Sequence, residues 1–190
     1  MNIALFFGSF NPIHLGHTKL ADYIVKHHQF DEAWFVVSPT NPLKINSDLA
    51  DENLRLKMLQ LAICNHKKFK ACDIEFSLPR PSFTENTLNK LREIYPQHQF
   101  TLVIGADNLQ LFEKWKNYKH ILETTQLLVY PRAGYSNKRN EPEFAHVKTI
   151  NAPLYEISST QLRNEFRNGI YTAPWINKRV LNFIMKHKIY

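Results

Sequence analysis

Residues 3 to 17 read Ile3-Ala4-Leu5-Phe6-Phe7-Gly8-Ser9-Phe10-Asn11-Pro12-Ile13-His14-Leu15-Gly16-His17. The apolar run Ile3 to Phe7 has the character of a strand buried on both faces. Gly8 permits close backbone approach at its end, and Asn11-Pro12 turns the chain. Apolar residues then resume at helical spacing with Leu20, Ala21, Ile24 and Val25. The stretch is therefore a strand, a turn and a helix, the opening of a βα unit. Gly16 leaves the helix start open beside the imidazoles of His14 and His17. Backbone amides and imidazoles in that arrangement suit a polyphosphate, with His17 on an exposed turn.

The same alternation continues along the chain. Strands are expected at Ile3 to Phe7, Ala33 to Val37, Lys70 to Leu78, Phe100 to Ile104, Leu127 to Tyr130 and Val147 to Ile150. Helical spacing recurs at Leu54, Met58, Leu61 and Ala62, and again at Leu88, Leu91 and Ile94 behind the cap residues Ser82-Phe83-Thr84-Glu85. A further helix is expected from Asn108 to about Trp115. Ala133 to Ala145 lacks periodicity and reads as a surface loop. Ser158-Ser159-Thr160 caps a helix through Phe166 that Gly169 ends, and Pro174 opens a last one. This is an α/β pattern: an open, mostly parallel sheet with helices on both faces, whose ligands bind at the carboxyl ends of the strands.

Composition bounds the reading. The chain has 190 residues, 44% hydrophobic and 22% charged, enough for one core and one domain over 1–190. A mean hydropathy of -0.38, with no apolar stretch near the roughly 20 residues that span a bilayer, excludes a membrane protein. Only Cys64 and Cys72 occur, outside any Cys-x-x-Cys pair, so a disulfide scaffold is excluded and a reducing cytoplasm expected. The net charge of +7 suggests an anionic partner. Apart from Lys67-Lys68, Lys138-Arg139 and the pair Lys186 and Lys188, the basic residues are dispersed, so no nucleic-acid stripe is expected.

Taken alone, the first turn is compatible with capped core histidines, a two-histidine metal site or a dinucleotide fingerprint. None accounts for the whole string: no Glu stands between histidines at i and i+4, and neither G-x-G-x-x-G nor a P-loop is present. A second stretch, Ile157-Ser158-Ser159-Thr160-Gln161-Leu162-Arg163, opens a helix with hydroxyls and free amides and sets an Arg one turn in. The first string resembles the (H/T)xGH signature of the nucleotidyltransferase superfamily, and Gly-Ser-Phe-Asn-Pro-Ile-His resembles its nicotinate-nucleotide adenylyltransferases. The second resembles that family's ISSTxxR element. The similarity extends to Ser38-Pro39-Thr40-Asn41-Pro42-Leu43-Lys44, Ser82-Phe83-Thr84, Ile104 to Leu109 and Phe112 to Trp115, nearly the full chain.

The resemblance implies a Rossmann-like nucleotidylyl transferase fold and a set of roles. His14, His17, Lys44 and Arg163 would be catalytic, forming a positive field around the reacting phosphates. Gly8, Ser9, Phe10, Gly16, Gly105, Asp107, Ile157, Ser158 and Ser159 would join His14, His17 and Arg163 in holding ATP. Asn41, Lys44, Phe83, Thr84, Trp115 and Arg132 would hold nicotinate mononucleotide. Lys44 also reads as an exposed loop residue, Trp115 as a core aromatic, and Asp107 as the cap of the helix near Asn108. Asn11 and Phe83 stand where many family members have Asp and Tyr.

The implied reaction is attack of the nicotinate mononucleotide phosphate on the α-phosphorus of ATP, giving deamido-NAD and pyrophosphate for NAD biosynthesis without a covalent enzyme intermediate. Mg²⁺ would arrive with ATP, and no protein metal site is expected. Two alternatives stay open: the same machinery with another acceptor, such as nicotinamide mononucleotide or phosphopantetheine, and a non-catalytic basic RNA-binding domain. Neither nucleic acid nor membrane is expected as a partner, while monomer and homo-oligomer are equally compatible with the sequence.

Overall fold

The first apolar run forms the central strand β1 (Asn2–Gly8) of a computed structural model that describes residues 1–40, 48–136, 141–171 and 174–190. It is followed by β2 (Glu32–Val37), β3 (Phe69–Cys72), β4 (Gln99–Gly105), β5 (Gln126–Tyr130) and β6 (Lys148–Thr149). These make a six-stranded sheet in the order β3-β2-β1-β4-β5-β6, and every pairing is parallel.

Strand side chains alternate between two apolar layers, as period-2 geometry requires. Ala4, Phe6, Phe35, Val37, Val103 and Leu128 pack beneath α1 (Leu15–His27), α2 (Glu52–Ile63), α6 (Ser159–Arg167) and α7 (Lys178–His187). Ile3, Leu5, Trp34, Val36, Leu102, Ile104, Leu127 and Val129 face α3 (Thr84–Ile94), α4 (Ala106–Gln110) and α5 (Tyr118–Thr124). Burying a Leu, Ile or Phe contributes about 1.5–3 kcal/mol, so the two layers together supply the main driving force. Among the described residues no helix is long and apolar enough to cross a membrane.

Strand order reverses between β1 and β4, and a crevice opens outside the carboxyl ends of neighbouring strands at such a point. Gly8 and Gly105 are the last residues of these two strands.

Several elements differ from the sequence expectation. The third strand stops at Cys72 and becomes a 3₁₀ turn over Ile74–Ser77, because Glu75 turns inward to Thr87 instead of continuing the ladder. The helix expected from Asn108 to Trp115 ends at Gln110, and a 3₁₀ turn over Phe112–Lys114 buries Phe112 before α5 begins. The left-handed Asn117 (φ 51°) stands at the cap position of α5. The last helix starts at Lys178, capped by Asn177, rather than at Pro174. In the expected surface loop, Phe144 is buried in a short 3₁₀ turn.

Two helical faces are also rotated. The buried row of α2 is Arg55, Met58, Leu59 and Ile63, not the row through Leu54 and Leu61. In α3, Ile94 is 47% exposed while Thr87, Leu88 and Leu91 are buried. Leu91→Ala is therefore expected to cost about 2–5 kcal/mol in urea unfolding, whereas Ile94→Ala stays within about 1 kcal/mol.

Candidate active site

The turn between β1 and α1 is irregular, so its backbone carbonyls have no ladder partners and side chains satisfy them. Phe10 adopts a left-handed φ of 45°, and its ring packs edge-on against His17 with centroids 5.3 Å apart. Arg55 Nη1 donates to the Ser9 carbonyl at 2.7 Å. Arg163 Nη1 donates to the Asn11 carbonyl at 2.9 Å, and Ser159 Oγ donates to the Pro12 carbonyl at 2.9 Å. The second motif is thus hydrogen-bonded onto the first across most of the sequence.

Steric fit reinforces this docking. A Cβ on Gly16 would come within 2.8 Å of Ile157 Cγ2 and 3.0 Å of His14 Nδ1. Glycine is what allows the Ile157 segment to lie on the first turn of α1. Ser158 caps α6 by accepting from the Gln161 amide at 3.1 Å. Arg163 Nε is buried without a partner, so this guanidinium keeps donor capacity after serving Asn11.

His14 is buried and His17 half-buried at the start of α1. Their rings stack with centroids 3.7 Å apart, and the His14 amide donates to His17 Nδ1 at 3.3 Å. Burial lowers the His14 pKa to about 3, with the Arg132 charge adding to the effect. His17 is lowered well below its usual range by burial first, then by His14 and Arg132. His17 therefore does not sit on an exposed turn, and both rings are neutral near pH 7, so the formal charge acting on them is that of Arg132. His14 Nδ1 is buried without a partner.

A third group gathers at the ends of β4 and β5. Gly105 caps α4, and Asp107 lies inside its first turn rather than at the cap position. A Cβ at Gly105 would collide with the Asp107 carboxylate. Arg132 Nε is 3.7 Å from Asp107 Oδ1, while its Nη2 donates to the Tyr130 hydroxyl at 3.2 Å. Asp107 Oδ1 and Arg132 Nε are buried without hydrogen-bond partners. Arg132 thus pairs with Asp107 and also acts electrostatically on the histidine pair.

Phe83, Thr84 and Trp115 form a separate cluster at the amino end of α3. Phe83 occupies the cap position but has no side chain that can cap, which leaves first-turn amides open. Lys116 Nζ lies 4.7 Å above the Phe83 ring, and Asn117 Nδ2 donates to Glu85 at 2.9 and 2.8 Å. These contacts hold the Trp115 segment against the helix end. Trp115 leans on Phe112, with centroids 4.9 Å apart, and its Nε1 is buried without a partner. Asn41 and Lys44 lie outside the described residues.

Residue-by-residue reading missed two groups. Arg55 is 1% exposed and also donates to the carbonyls of Ser38, Pro39 and Ala50 at 2.8, 3.0 and 2.9 Å. Its signal was a charge within the helical row of Met58 and Leu59. Asn11 is 3% exposed; it donates to the Asp48 carbonyl at 2.9 Å and accepts from the Ala50 amide at 3.2 Å and the Tyr190 hydroxyl at 2.7 Å. An amide can donate and accept at once, which an ionised Asp cannot.

Comparison with known proteins adds to this geometry. The sequence matches the family described as cytidylyltransferase-like over residues 5–165. A protein of Cytophaga hutchinsonii named "Probable nicotinate-nucleotide adenylyltransferase" is 46% identical over 190 residues, covering 100% of this chain and 98% of that one. A Flavobacterium johnsoniae protein of the same name is 42% identical over 196 residues, covering 100% and 99%. Among solved structures, the nicotinic acid mononucleotide adenylyltransferase of Plasmodium falciparum complexed with NaAD shares the fold with a TM-score of 0.80. It is 21% identical, with 98% of this chain and 96% of that chain covered.

The lowered His14 pKa makes stability depend on pH. Between pH 6.5 and about 3 the unfolded chain binds a proton that folded His14 does not. Stability therefore falls as pH drops below 6.5, by up to about 1.4 kcal/mol per pH unit from this group. Urea unfolding at pH 7.5, 6 and 5 is expected to show a shallower decline for His14→Gln than for the wild type.

Proposed function

Because this chain belongs to the cytidylyltransferase-like family and, within it, to the nicotinate-nucleotide adenylyltransferases, we propose that it transfers the adenylyl group of ATP to nicotinate mononucleotide, yielding deamido-NAD and pyrophosphate in NAD biosynthesis. The observation that carries this reading is the union of the two phosphate-type motifs. Arg163 bonds to Asn11, Ser159 to Pro12, and Ile157 rests on Gly16, all beside stacked imidazoles at the switch point of the sheet.

The acceptor phosphate is anionic at neutral pH and needs no protein nucleophile. Its oxygen attacks the α-phosphorus in line, the bond to the bridging oxygen breaks, and pyrophosphate leaves. Catalysis then consists of aligning two anions and stabilising the charge that develops on the leaving group. Neutral His14 and His17 can each donate a hydrogen bond to a phosphate oxygen, and a bound polyphosphate favours their protonated forms. Arg163 contributes its unused donors to the β- and γ-phosphates, and Lys44 is assigned to the reacting phosphates. Gly8, Ser9, Phe10, Gly16, Ile157, Ser158 and Ser159 shape the triphosphate pocket, with Gly105 and Asp107 on the adenosine side. Mg²⁺ enters as part of the ATP substrate.

On the acceptor side, open amides of α3 at Phe83 and Thr84 face a carboxylate, which the helix dipole favours over a neutral carboxamide. Trp115 offers a ring for stacking the pyridine, and Asn41 and Lys44 are assigned to the same substrate by the family resemblance. Arg132 lies beside Asp107 and acts on both histidines, which supports a place between the two substrates. We read residues 1–190 as one nucleotidyltransferase domain working in the cytoplasm on these small substrates.

Pyrophosphate release from ATP and Mg²⁺ is expected with nicotinate mononucleotide well above nicotinamide mononucleotide or phosphopantetheine; preference for another acceptor would overturn the pocket assignment. His17→Ala is expected to lower kcat/KM by at least about 100-fold while reducing stability by only about 1 kcal/mol, as read by steady-state kinetics and urea unfolding. Loss of folding in proportion to activity would return His17 to a purely structural role.

A further inference from the structure

The amino end of α3 is held by a group that lies in neither motif. Glu75, in the 3₁₀ turn after β3, is 2% exposed, and Thr87 Oγ1 donates a 2.8 Å hydrogen bond to its Oε1. The hydroxyls of Ser38, immediately beyond β2, and Ser82, just before α3, approach the same carboxyl. Neither approach completes its bonding, because Glu75 Oε2 and Ser82 Oγ are both buried without a hydrogen-bond partner. Among the described residues, the groups acting on this carboxyl are three hydroxyls, with no lysine or arginine. Burial is the largest influence and pushes its pKa up.

We propose that Glu75 is the positioning residue of the acceptor subsite: its carboxyl, buried beside Ser38 at the carboxyl end of β2, holds the first turn of α3 through Thr87 and so fixes where the acceptor nucleotide meets the helix amides. The proposal rests on the assignment of that helix end to the acceptor.

Three considerations support it. The carboxyl collects hydroxyls from residues 38, 82 and 87, which belong to separate segments that border the Phe83-Thr84 end of α3. The Phe83 side chain does not cap this helix, and Thr87 supplies an anchor through Glu75, its hydroxyl also lying 3.3 Å from the Phe83 carbonyl. Finally, a buried carboxyl is a poor source of stability compared with an apolar residue of similar size. Burial disfavours the charged form of this acid, which is the direction that suits an anchor beside an anionic substrate.

The test is steady-state kinetics of wild type, Glu75→Gln, Glu75→Ala and Thr87→Val with ATP, Mg²⁺ and nicotinate mononucleotide, each checked by urea unfolding. Glu75→Gln, neutral and of the same shape, is expected to stay within about twofold of wild type in both KM values. Glu75→Ala is expected to raise the KM for nicotinate mononucleotide by about tenfold, with the KM for ATP changed less than about twofold. Thr87→Val, which removes the donor to Oε1, is expected to raise the acceptor KM by about threefold or more with ATP unaffected, and carries the test if Glu75→Ala does not fold.

Equal shifts in both KM values, or unchanged acceptor KM values in Glu75→Ala or Thr87→Val, overturn the proposal. So does a Glu75→Gln enzyme with the acceptor defect expected of the alanine variant. Wild type that uses nicotinamide mononucleotide or phosphopantetheine instead would overturn the acceptor assignment alone, and the same KM comparison would then be made on that acceptor.

Discussion

An irregular turn buried at the switch point of a parallel sheet cannot satisfy its own carbonyls, and that constraint organises this molecule. The carbonyls of Ser9, Asn11 and Pro12 accept from Arg55, Arg163 and Ser159. The donors come from two distant parts of the chain, Arg55 from α2 and Ser159 and Arg163 from α6, so forming the turn requires both helices to be docked. Leaving a buried polar group unpaired costs about 1–3 kcal/mol, which makes these side chains conditions of the fold as well as features of the site. Arg55 extends the principle by joining the ends of β1 and β2 to the start of α2 through four carbonyls.

The electrostatics of the crevice follow from the same compactness. Packing His14 against His17 with Arg132 nearby drives both imidazoles to their neutral forms. The free protein thereby avoids holding a cluster of unscreened positive charge, while a polyanion that enters can supply the compensating field. Cationic strength in the site is thus conditional on the substrate. Burial acts in the matching direction on Glu75 at the acceptor side, pushing its pKa up and so weakening a charge that would oppose an anion.

Much of this was legible because it lies in backbone-scale patterns. Ile3 to Phe7 and Phe100 to Ile104 are too uniformly apolar for anything but buried strands, and Leu20, Ala21, Ile24 and Val25 mark the buried face of α1. His14, Gly16, His17 and Arg163 stood out by spacing, and folding brings their segments together. Polar residues buried for packing reasons were harder to read. Arg55 and Glu75 look like surface charges until the carbonyls and hydroxyls around them are known, since burial of a charge depends on partners distant in sequence. The break after Gln110 was hidden because Phe112 and Trp115 continue an apolar pattern that a 3₁₀ turn also satisfies.

The bond from the Tyr190 hydroxyl to Asn11 Oδ1 has a consequence for biosynthesis. Asn11 lies in the opening turn, 179 positions before Tyr190. During translation the opening turn emerges early, yet this hydrogen bond must wait until residue 190 is free of the ribosome. The central strands can assemble first, while the last partner of the opening turn arrives only with the segment that follows α7. A ribosome stalled within α7 would hold a sheet whose opening turn still lacks its last partner.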